Sequence, residues 1–442
     1  MNTNVTGTDI ASRDRSAGRA SMEIPVSAVI KQHLIDPETC MRCNTCESVC
    51  PSGAITHDAK NYVVDAAKCR HSLACIPRCP TGAIDNWRTM PRARTYSVQS
   101  QMGWSSLPEE LTAGELAAEG IVAGRASAVA RVAALPAAGV AAGKDGKQYS
   151  ATFPPWSAAH AYTNLYDASD PVIATVLGNM RVTEVGREYD THHIVLDLGR
   201  TPFPVLEGQS IGVIPPGVDA SGRPHKVHHY SVSSPRDGER QGFNFLSLTL
   251  KRVLQDRQGN PVRGVASNYL CDLKVGDQVP LIGPFGTSFL MPNHPGSHIV
   301  MICTGTGASP MRAMLLRRYR QRTSPDFARS KLMLFFGART QEELPFFGRL
   351  HRLPKDFIDV NLAFSRTAGQ PKRYVHDLMR ARASELAALL ADADSYFYVC
   401  GLRSMEDGVV AALRDIAEQA GLDWKSLGTT LRRDGRLHLE TY

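Results

Sequence analysis

The chain has 442 residues, of which 43% are hydrophobic and 21% charged, with ordinary glycine and proline usage. This length exceeds what one hydrophobic core usually supports, so two or three domains are expected. The composition excludes a fibrous, largely disordered or membrane-embedded chain, because no run approaches the roughly 20 apolar residues that span a bilayer. The formal net charge of +7 favours anionic ligands or acidic partner surfaces, whereas the absence of basic runs interleaved with aromatic residues argues against nucleic acid.

Residues 1–24 are polar, carry scattered arginines and lack the apolar stretch of a secretory signal. We predict a disordered tail there and a cytoplasmic protein. A small cysteine-rich α+β module is expected over residues 25–95, followed by an alanine- and glycine-rich linker over residues 96–165. β-type runs divided by Gly and Pro predict an antiparallel β-barrel over residues 166–295. Strands that alternate with helices predict a doubly wound parallel sheet over residues 296–442.

Seven of the ten cysteines lie between residues 40 and 79, which indicates metal ligation rather than a disulfide scaffold. The first run has the spacing C-x2-C-x2-C-x3-C-P, by which bacterial-type ferredoxins hold a [4Fe-4S] cluster; its members are Cys40, Cys43, Cys46 and Cys50. The fourth cysteine of such a run serves the other cluster. A zinc site is the weaker alternative, because zinc pairs rarely show this double run ending in proline.

A second run follows at Cys69, Cys75 and Cys79, but Ser72 stands where its second cysteine is expected. With the usual exchange, the first three cysteines of the first run and Cys79 ligate one complete cluster. Cys50, Cys69 and Cys75 are left with a gap in the second. Three states of the second site stay open: a [3Fe-4S] cluster, a [4Fe-4S] cluster held at the gap by Ser72 or water, and an empty site.

The segment HHYSVSS, residues 228–234, together with LTLKRV and GVASNYLCDLKVGDQVPLIGPFG, resembles the plant-type ferredoxin–NADP reductase family over roughly residues 170–442. The resemblance implies FAD, with Tyr230 packed on the flavin ring and Ser231 near its reactive edge. His228 stands where the family has an arginine that neutralises the flavin pyrophosphate. Small residues in GVASN let backbone N–H groups approach that diphosphate, and the resemblance assigns it Val265, Ala266 and Ser267.

The segment CTGTGASPMR follows an apolar strand and opens a helix, so its loop is predicted to bind a dinucleotide pyrophosphate through Thr304, Gly305, Thr306 and Gly307. By the resemblance, Lys251 lies near the nicotinamide nucleotide, and Cys400 and Gly401 border the hydride-transfer site. The segments AFSR and PKRYVHD supply basic and hydroxyl groups where an NADH-binding protein has an acidic residue. They favour NADPH, with its 2′-phosphate held by Ser365, Arg366, Lys372 and Tyr374.

The sequence ends in HLETY, and in the family a tyrosine of this kind covers the flavin face where nicotinamide must stack. The resemblance gives that role to Tyr442, and to Glu440 the positioning of nicotinamide and proton movement. Ser231 and Cys400 complete the predicted catalytic group. For Lys251 and Cys400 the alternatives are a solvated strand lysine and a packed core thiol.

The order of two cluster runs, an alanine-rich linker and a reductase resembles the reductase components of the benzoyl-CoA oxygenases, two-component epoxidases of aerobic benzoate breakdown. This implies an oxygenase or epoxidase component as electron acceptor. A ferredoxin–NADP reductase with a fused ferredoxin that serves other acceptors is the second hypothesis, and a non-catalytic redox sensor is the third. A homodimer is left open.

Overall fold

The computed structural model describes residues 29–118, 161–256, 258–294, 296–327, 330–346, 350 and 353–442. The predicted disordered tail, residues 1–24, and most of the predicted linker lie outside the described residues. We call the described units the cysteine module (residues 29–118), the antiparallel domain (residues 161–294) and the parallel-sheet domain (residues 296–442). No helix in these ranges is both long and apolar enough to cross a membrane.

The cysteine module is built from short elements around two cysteine loops, as expected for an α+β ferredoxin-like fold. Strand β1 (Val29–Leu34) pairs antiparallel with β4 (Asn86–Pro91), and β2 (Ile55–His57) with β3 (Tyr62–Val64). The helices are α1 (Thr45–Ser48), α2 (Val98–Met102) and α3 (Ala113–Ala118). Apolar side chains from the strands surround the cysteines and form a separate small core.

Residues that the sequence analysis assigned to the linker pack against this module. The buried amide of Gln101 on α2 donates to the backbone of Val64 at 2.9 Å and accepts from it at 3.2 Å. The side chain of Asn61 donates to the backbone carbonyls of Gln101, Met102 and Trp104. These bonds satisfy buried polar groups on both sides and attach α2 to β3.

The antiparallel domain is a six-stranded sheet in the order β8-β7-β10-β5-β6-β9. Its strands are β5 (Val172–Arg181), β6 (Thr191–Asp197), β7 (Ser210–Val213), β8 (His228–Ser231), β9 (Phe245–Lys251) and β10 (Gln278–Phe285), with helix α4 (Val265–Asp272) beside them. Buried and exposed residues alternate along β5, as in a sheet with one buried face. The chain past β8 meets β9 at one bridge between Val232 and Leu248, and full barrel closure stays a prediction.

The parallel-sheet domain confirms the predicted doubly wound fold, with strand order β13-β12-β11-β14-β15. The strands are β11 (His298–Thr304), β12 (Leu332–Ala338), β13 (Asp359–Phe364), β14 (Ser395–Gly401) and β15 (Leu437–Thr441). The helices are α5 (Ala308–Gln321), α6 (Val375–Ala381), α7 (Ala383–Ala391), α8 (Arg403–Gln419) and α9 (Trp424–Arg433). The central strands are buried on both faces, which explains their continuous apolar sequence.

One segment of the antiparallel domain, residues 235–243, contacts both other units, and we call it the junction loop. Its Glu239 is buried and receives two hydrogen bonds from Arg312 of α5, at 2.6 and 2.7 Å. Burial alone would raise the pKa of Glu239, but the charges of Arg312 and His193 lower it well below its usual range. Arg320 of α5 adds bonds to the Gly238 and Glu239 carbonyls. The ionised carboxylate therefore joins the two domains.

We predict that Arg312→Met destabilises the protein by about 3–5 kcal/mol, because it leaves the Glu239 carboxylate buried without its main partner. Arg317→Met on the same helix is the control, since Arg317 lies 3.8 Å from Asp237 in a partly exposed pair. Such pairs contribute about 0–1 kcal/mol. Thermal unfolding followed by circular dichroism should show a large fall in Tm for the first variant only. Equal falls in both would contradict a special role for the Glu239 pair.

Candidate functional site

Four cysteines of the module line one small pocket. They are Cys40, Cys43, Cys46 and Cys79, with apolar residues such as Ile35, Tyr62 and Ile84 around them. Burial raises the pKa of the Cys40 thiol to about 12 and raises that of Cys46 further, so as free thiols these groups stay protonated at neutral pH. Metal ligation requires thiolates, and the charge of bound iron would supply the missing stabilisation. The pocket thus joins three residues of the first run with the last residue of the second.

The other three predicted ligands form a second group. The thiols of Cys50 and Cys69 lie close enough to Cys75 to influence its pKa, which burial raises to about 11. Desolvation would raise the pKa of Cys50, but hydrogen bonds from Ser52 and the Ala54 backbone lower it. Among the described residues, no three cysteine, histidine or acidic side chains converge on a point that could hold a single metal ion.

The two cysteine loops share one backbone conformation around the second ligand position. In the first loop Arg42 and Asn44 flank Cys43 with φ of 52° and 62°, in the left-handed region. In the second loop the residues before and after Ser72, His71 and Leu73, have φ of 52° and 59°. This repeat puts Ser72 at the position that Cys43 holds in the first loop. The backbone conformation around Cys43 is therefore repeated around Ser72, which carries a hydroxyl where Cys43 carries a thiol.

The first cysteine group faces the antiparallel domain. Met41 is buried against Val195 and Phe245, and Cys43 packs at the edge of this contact. Gly178 of β5 leaves room for the Met41 side chain, because a Cβ at position 178 would lie 2.2 Å from the Met41 methyl group. Arg240 of the junction loop donates to the Cys79 carbonyl at 2.9 Å and pairs with Asp85 at 2.7 Å. The cysteine module is thus attached to the antiparallel domain next to the first group of predicted cluster ligands.

The predicted flavin strand is β8, at the outer edge of the antiparallel sheet. Tyr230 packs against the domain core, and burial raises its pKa, so its hydroxyl stays neutral. Ser231 accepts a hydrogen bond from Ser309 of α5 through its carbonyl, at 2.7 Å. Exposed His228 has its pKa lowered by partial desolvation and by neighbouring histidines. A neutral imidazole there cannot replace the fixed charge of an arginine opposite a pyrophosphate.

The segment around Val265, Ala266 and Ser267 forms the start of α4. Gly264 precedes it, and a Cβ there would lie 2.7 Å from the Ser267 hydroxyl and 2.8 Å from Val253. The Ser267 hydroxyl accepts from the Val253 N–H at 3.1 Å, so it organises the turn. Exposed apolar side chains lie at this turn and helix start: Val253, Leu254, Val262 and Val265. The first N–H groups of α4 have no partner within the helix, and together with this apolar surface they fit the diphosphate and adenine of FAD.

The predicted nucleotide loop, Thr304–Gly307, lies where β11 ends and α5 begins, at the carboxyl edge of the parallel sheet. A Cβ on Gly307 would lie 2.1 Å from the Cys400 carbonyl oxygen, and a Cβ on Gly401 would lie 2.4 Å from the Thr304 hydroxyl. Cys303 and Cys400 are paired across adjacent strands, and burial keeps both thiols protonated by raising the pKa of each. Buried neutral Cys400 can border a reacting group but is poorly suited to be a nucleophile.

The last residues continue the sheet as β15, which pairs with β14 so that Glu440 lies opposite Cys400. Desolvation raises the pKa of the Glu440 carboxyl. Tyr442 donates its backbone N–H to the Gly401 carbonyl at 3.0 Å, and its hydroxyl lies 2.6 Å from that of Thr306. The Tyr442 residue is 55% exposed, although enclosure of its hydroxyl raises its pKa to about 12. Its ring therefore has an open face at the nucleotide loop.

Ser365 and Arg366 follow β13 at the same edge, where their backbone N–H groups bond to the carbonyls of Ala338 and Arg339. Exposed Lys372 and Tyr374 come next, just before α6. Lys251 lies at the end of β9 with its ammonium 3.6 Å from the centre of the Tyr189 ring. Desolvation and Arg339 lower the pKa of Lys251. The predicted phosphate-binding residues therefore lie at one edge, with Lys251 facing it from the neighbouring domain.

Comparisons with known proteins fit this arrangement. Residues 27–83 match the 4Fe-4S dicluster domain, and residues 301–411 match the oxidoreductase NAD-binding domain. The cyanelle ferredoxin–NADP reductase of Cyanophora paradoxa is 38% identical over 288 residues, 63% of this chain and 78% of that protein. The ferredoxin–NADP reductase of Spirulina sp. is 32% identical over 63% of this chain and 98% of its own. The chain belongs to the ferredoxin–NADP reductase family.

The reductase is accordingly an NADPH-dependent oxidoreductase with an iron-sulfur domain at its N-terminal end. A solved Plasmodium falciparum ferredoxin–NADP⁺ reductase with 2′P-AMP aligns with 64% of this chain and all of its own. The TM-score is 0.50 at 20% identity, so this likeness concerns the fold.

Sequence reasoning missed the residues that connect the predicted sites. Ser309 joins the nucleotide helix to the flavin strand, Glu239 and Arg312 join the domains, and Arg240 reaches the cysteine pocket. Each contact spans more than 70 residues of chain, and none has a local spacing that would reveal it. Pro235, Gly238 and Gly242 are turn residues in the junction loop, but they give no indication of its partners.

We predict that Ser72→Cys makes the two clusters of the reductase alike in stability to air. A serine hydroxyl is far harder to deprotonate than a thiol of pKa about 8.5, so the iron facing Ser72 should be lost first. Anaerobic iron and sulfide analysis with EPR should show one robust [4Fe-4S] cluster and one labile cluster in the wild type. Ala67→Cys, which adds a thiol outside the loop, is the control. Two equally stable four-iron clusters in the wild type would exclude a ligand gap at position 72.

We further predict that Tyr442→Ser tightens NADP⁺ binding and slows its release, because the ring no longer competes for the flavin face. Tyr442→Phe is the matched control: it keeps the ring and removes only the hydrogen bond to Thr306. Titration calorimetry and stopped-flow release should separate the two variants. An unchanged affinity in Tyr442→Ser would mean that the ring does not cover the flavin.

Proposed function

We propose that the reductase takes electrons from NADPH, passes them through FAD to iron-sulfur clusters in the cysteine module, and delivers them to an oxygenase. The supporting observation is the junction loop, which attaches the nucleotide helix α5 on one side and the Cys79 carbonyl on the other. An electron-transfer protein needs its centres held close together, and this loop fixes three units in one assembly. Bound FAD supplies the conversion of a two-electron hydride into single electrons.

The residues of this chain carry the binding and positioning steps. Thr304, Gly305, Thr306 and Gly307 would receive the NADPH pyrophosphate at the start of α5. Tyr442 would swing aside as nicotinamide stacks, with Glu440, Cys400 and Ser231 around the hydride path. Tyr230, His228 and the segment 265–267 would hold FAD. We keep the domain limits of the sequence analysis as part of the proposal.

We infer that Ser365, Arg366, Lys372 and Tyr374 select NADPH by holding its 2′-phosphate, with Lys251 facing the nucleotide across the domain boundary. Two observations support this. Ser365, Arg366, Lys372 and Tyr374 follow strand β13, and Lys251 lies close enough to Arg339, after β12, for that charge to lower its pKa. An arginine and a lysine beside two hydroxyls suit a dianionic phosphate.

We propose the cytoplasm as location and a benzoyl-CoA 2,3-epoxidase as acceptor, because the order of modules resembles the reductase component of that system. The second hypothesis, a reductase with a fused ferredoxin for other acceptors, is favoured by relatives that are named ferredoxin–NADP reductases. A redox sensor is disfavoured, because a protein that only senses redox state through its clusters would not need domains that bring NADPH and flavin together for hydride transfer. A homodimer is compatible with either enzyme.

The deciding experiment is NADPH oxidation by the purified protein, with and without a candidate epoxidase component and benzoyl-CoA. Full coupling to benzoyl-CoA consumption supports the epoxidase, and equal rates with an unrelated ferredoxin support the second hypothesis. The protein should bind about one FAD, and its removal should abolish turnover. Turnover of NADPH by flavin-free protein would contradict the FAD assignment.

We predict that Arg366→Ala weakens NADPH binding by about 1–3 kcal/mol, the scale of a charge-assisted hydrogen bond, and leaves NADH nearly unchanged. Arg414→Ala is the control, because Arg414 is exposed on α8 next to Asp415, away from the carboxyl edge of the sheet. Steady-state KM values for both nucleotides measure the difference. Equal losses for NADPH and NADH would refute a 2′-phosphate contact.

A further inference from the structure

The two cysteine groups of the module have different surroundings. The first cysteine group is sealed against the antiparallel domain by Met41 and by Arg240, which bonds to Cys79. The second loop is open to solvent, since Arg70, His71, Ser72 and Leu73 are all exposed. If both groups carry clusters, the first is the side nearest the reductase domains and the second is the side that an external protein can reach.

Leu73 stands out on this open side. Its φ of 59° is in the left-handed region, which bulky residues rarely adopt, whereas Asn44 at the matching position of the first loop suits that region well. The residue is nevertheless 49% exposed, so it gains little burial within the chain. A large apolar side chain held outward at some conformational cost indicates a contact outside the chain.

Basic side chains lie in the same loop as Leu73 and around Trp87, the ring that His71 of this loop contacts. Arg70 and Lys68 are exposed in the same loop, and Lys68 lies 3.6 Å from Asp65. Lys31 extends from β1 with its ammonium 5.5 Å from the centre of the Trp87 ring, and the His71 ring meets the edge of that indole at 5.4 Å. Arg70 takes part in none of the ion pairs recorded for the described ranges. We call Lys31, Lys68, Arg70, His71 and Leu73 the exit surface.

We propose that the exit surface docks an acidic patch with an apolar centre on the electron-acceptor protein, so that electrons leave through the second cluster site. This inference rests on the proposed function and adds the docking residues to it. Complementary charges steer the encounter and set its rate, while a central apolar contact surrounded by polar groups holds the complex. A second copy of this chain is a poor occupant, because the chain carries a formal net charge of +7.

The test uses two charge-reversal variants of the full-length holoprotein, Lys31→Glu and Arg70→Glu, with Arg414→Glu on α8 as control, and separately the apolar-to-polar variant Leu73→Ser. Lys31 lies on β1, which ends before the first cysteine loop begins, so its replacement changes no residue of the cluster loops. Iron and sulfide content and EPR verify this for both variants. The probes are an acidic plant-type ferredoxin and a basic cytochrome c, each measured for Kd by calorimetry and for KM in NADPH-driven reduction.

Each of the two charge-reversal variants should raise the Kd for ferredoxin about tenfold, lower the Kd for cytochrome c, and flatten the salt dependence of ferredoxin binding. Leu73→Ser should weaken ferredoxin binding without altering that salt dependence. Reduction of ferricyanide by NADPH should be the same in all variants. If the wild-type protein does not reduce ferricyanide with NADPH, the proposed function is wrong, and the result says nothing against the exit surface in particular.

Three results would overturn the exit surface. The first is ferredoxin affinity that changes no more in Lys31→Glu and Arg70→Glu than in Arg414→Glu. The second is wild-type binding to anionic phospholipid vesicles that both variants lose, which would make the surface a membrane contact. The third is self-association of the wild type, seen by sedimentation, that Lys31→Glu abolishes.

Discussion

The buried ion pair of Glu239 with Arg312 is the interaction on which the arrangement of the reductase depends. A carboxylate so deeply buried is tolerable only when it is paired and hydrogen-bonded, and its partners come from three places: α5, Ser247 on β9 and His193 on β6. Because Arg312 belongs to the other domain, the pair is complete only when the domains are docked. The next residue, Arg240, then points at the cysteine module. Two adjacent residues therefore set the positions of both neighbours.

The same pair ends a chain of hydrogen bonds that begins at the predicted flavin strand. Ser309 of α5 donates to the Ser231 carbonyl, and the Ser309 and Ser233 hydroxyls are 2.5 Å apart. The Ser233 hydroxyl donates to that of Thr249 at 2.8 Å, and the Thr249 hydroxyl lies 3.0 Å from the His193 ring. The other ring nitrogen of His193 lies 3.5 Å from the Glu239 carboxylate. The sites predicted for flavin and nucleotide are thus linked to Glu239 by contiguous polar groups, and Arg240, the next residue, bonds to the Cys79 carbonyl. Such networks rigidify a core when they are fully satisfied.

The two cysteine loops show how one backbone conformation serves two surroundings. Both loops place the residues beside the second ligand position in the left-handed region, although among these four only Asn44 and His71 are of types enriched there. The first loop is covered by β-strand residues of the antiparallel domain, whereas the second faces solvent. The two runs have the same cysteine spacing except at Ser72, but their surroundings in the structure differ. That asymmetry gives the module one side directed to the reductase domains and one to a partner.

Local patterns in the sequence determined much of this protein. Apolar strands followed by amphipathic helices predicted the parallel sheet, and glycines at strand ends predicted the Thr304–Gly307 turn, because burial on both faces and close backbone approach restrict residue choice locally. Cysteine spacing likewise predicted the two groups of thiols. The tertiary structure alone decided which group faces the antiparallel domain, how α2 packs on the module, and that Glu239 and Arg240 join three units. The bond from Arg240 to the Cys79 carbonyl alone joins residues 161 positions apart, and the energy of a buried pair depends on surroundings that no local spacing records.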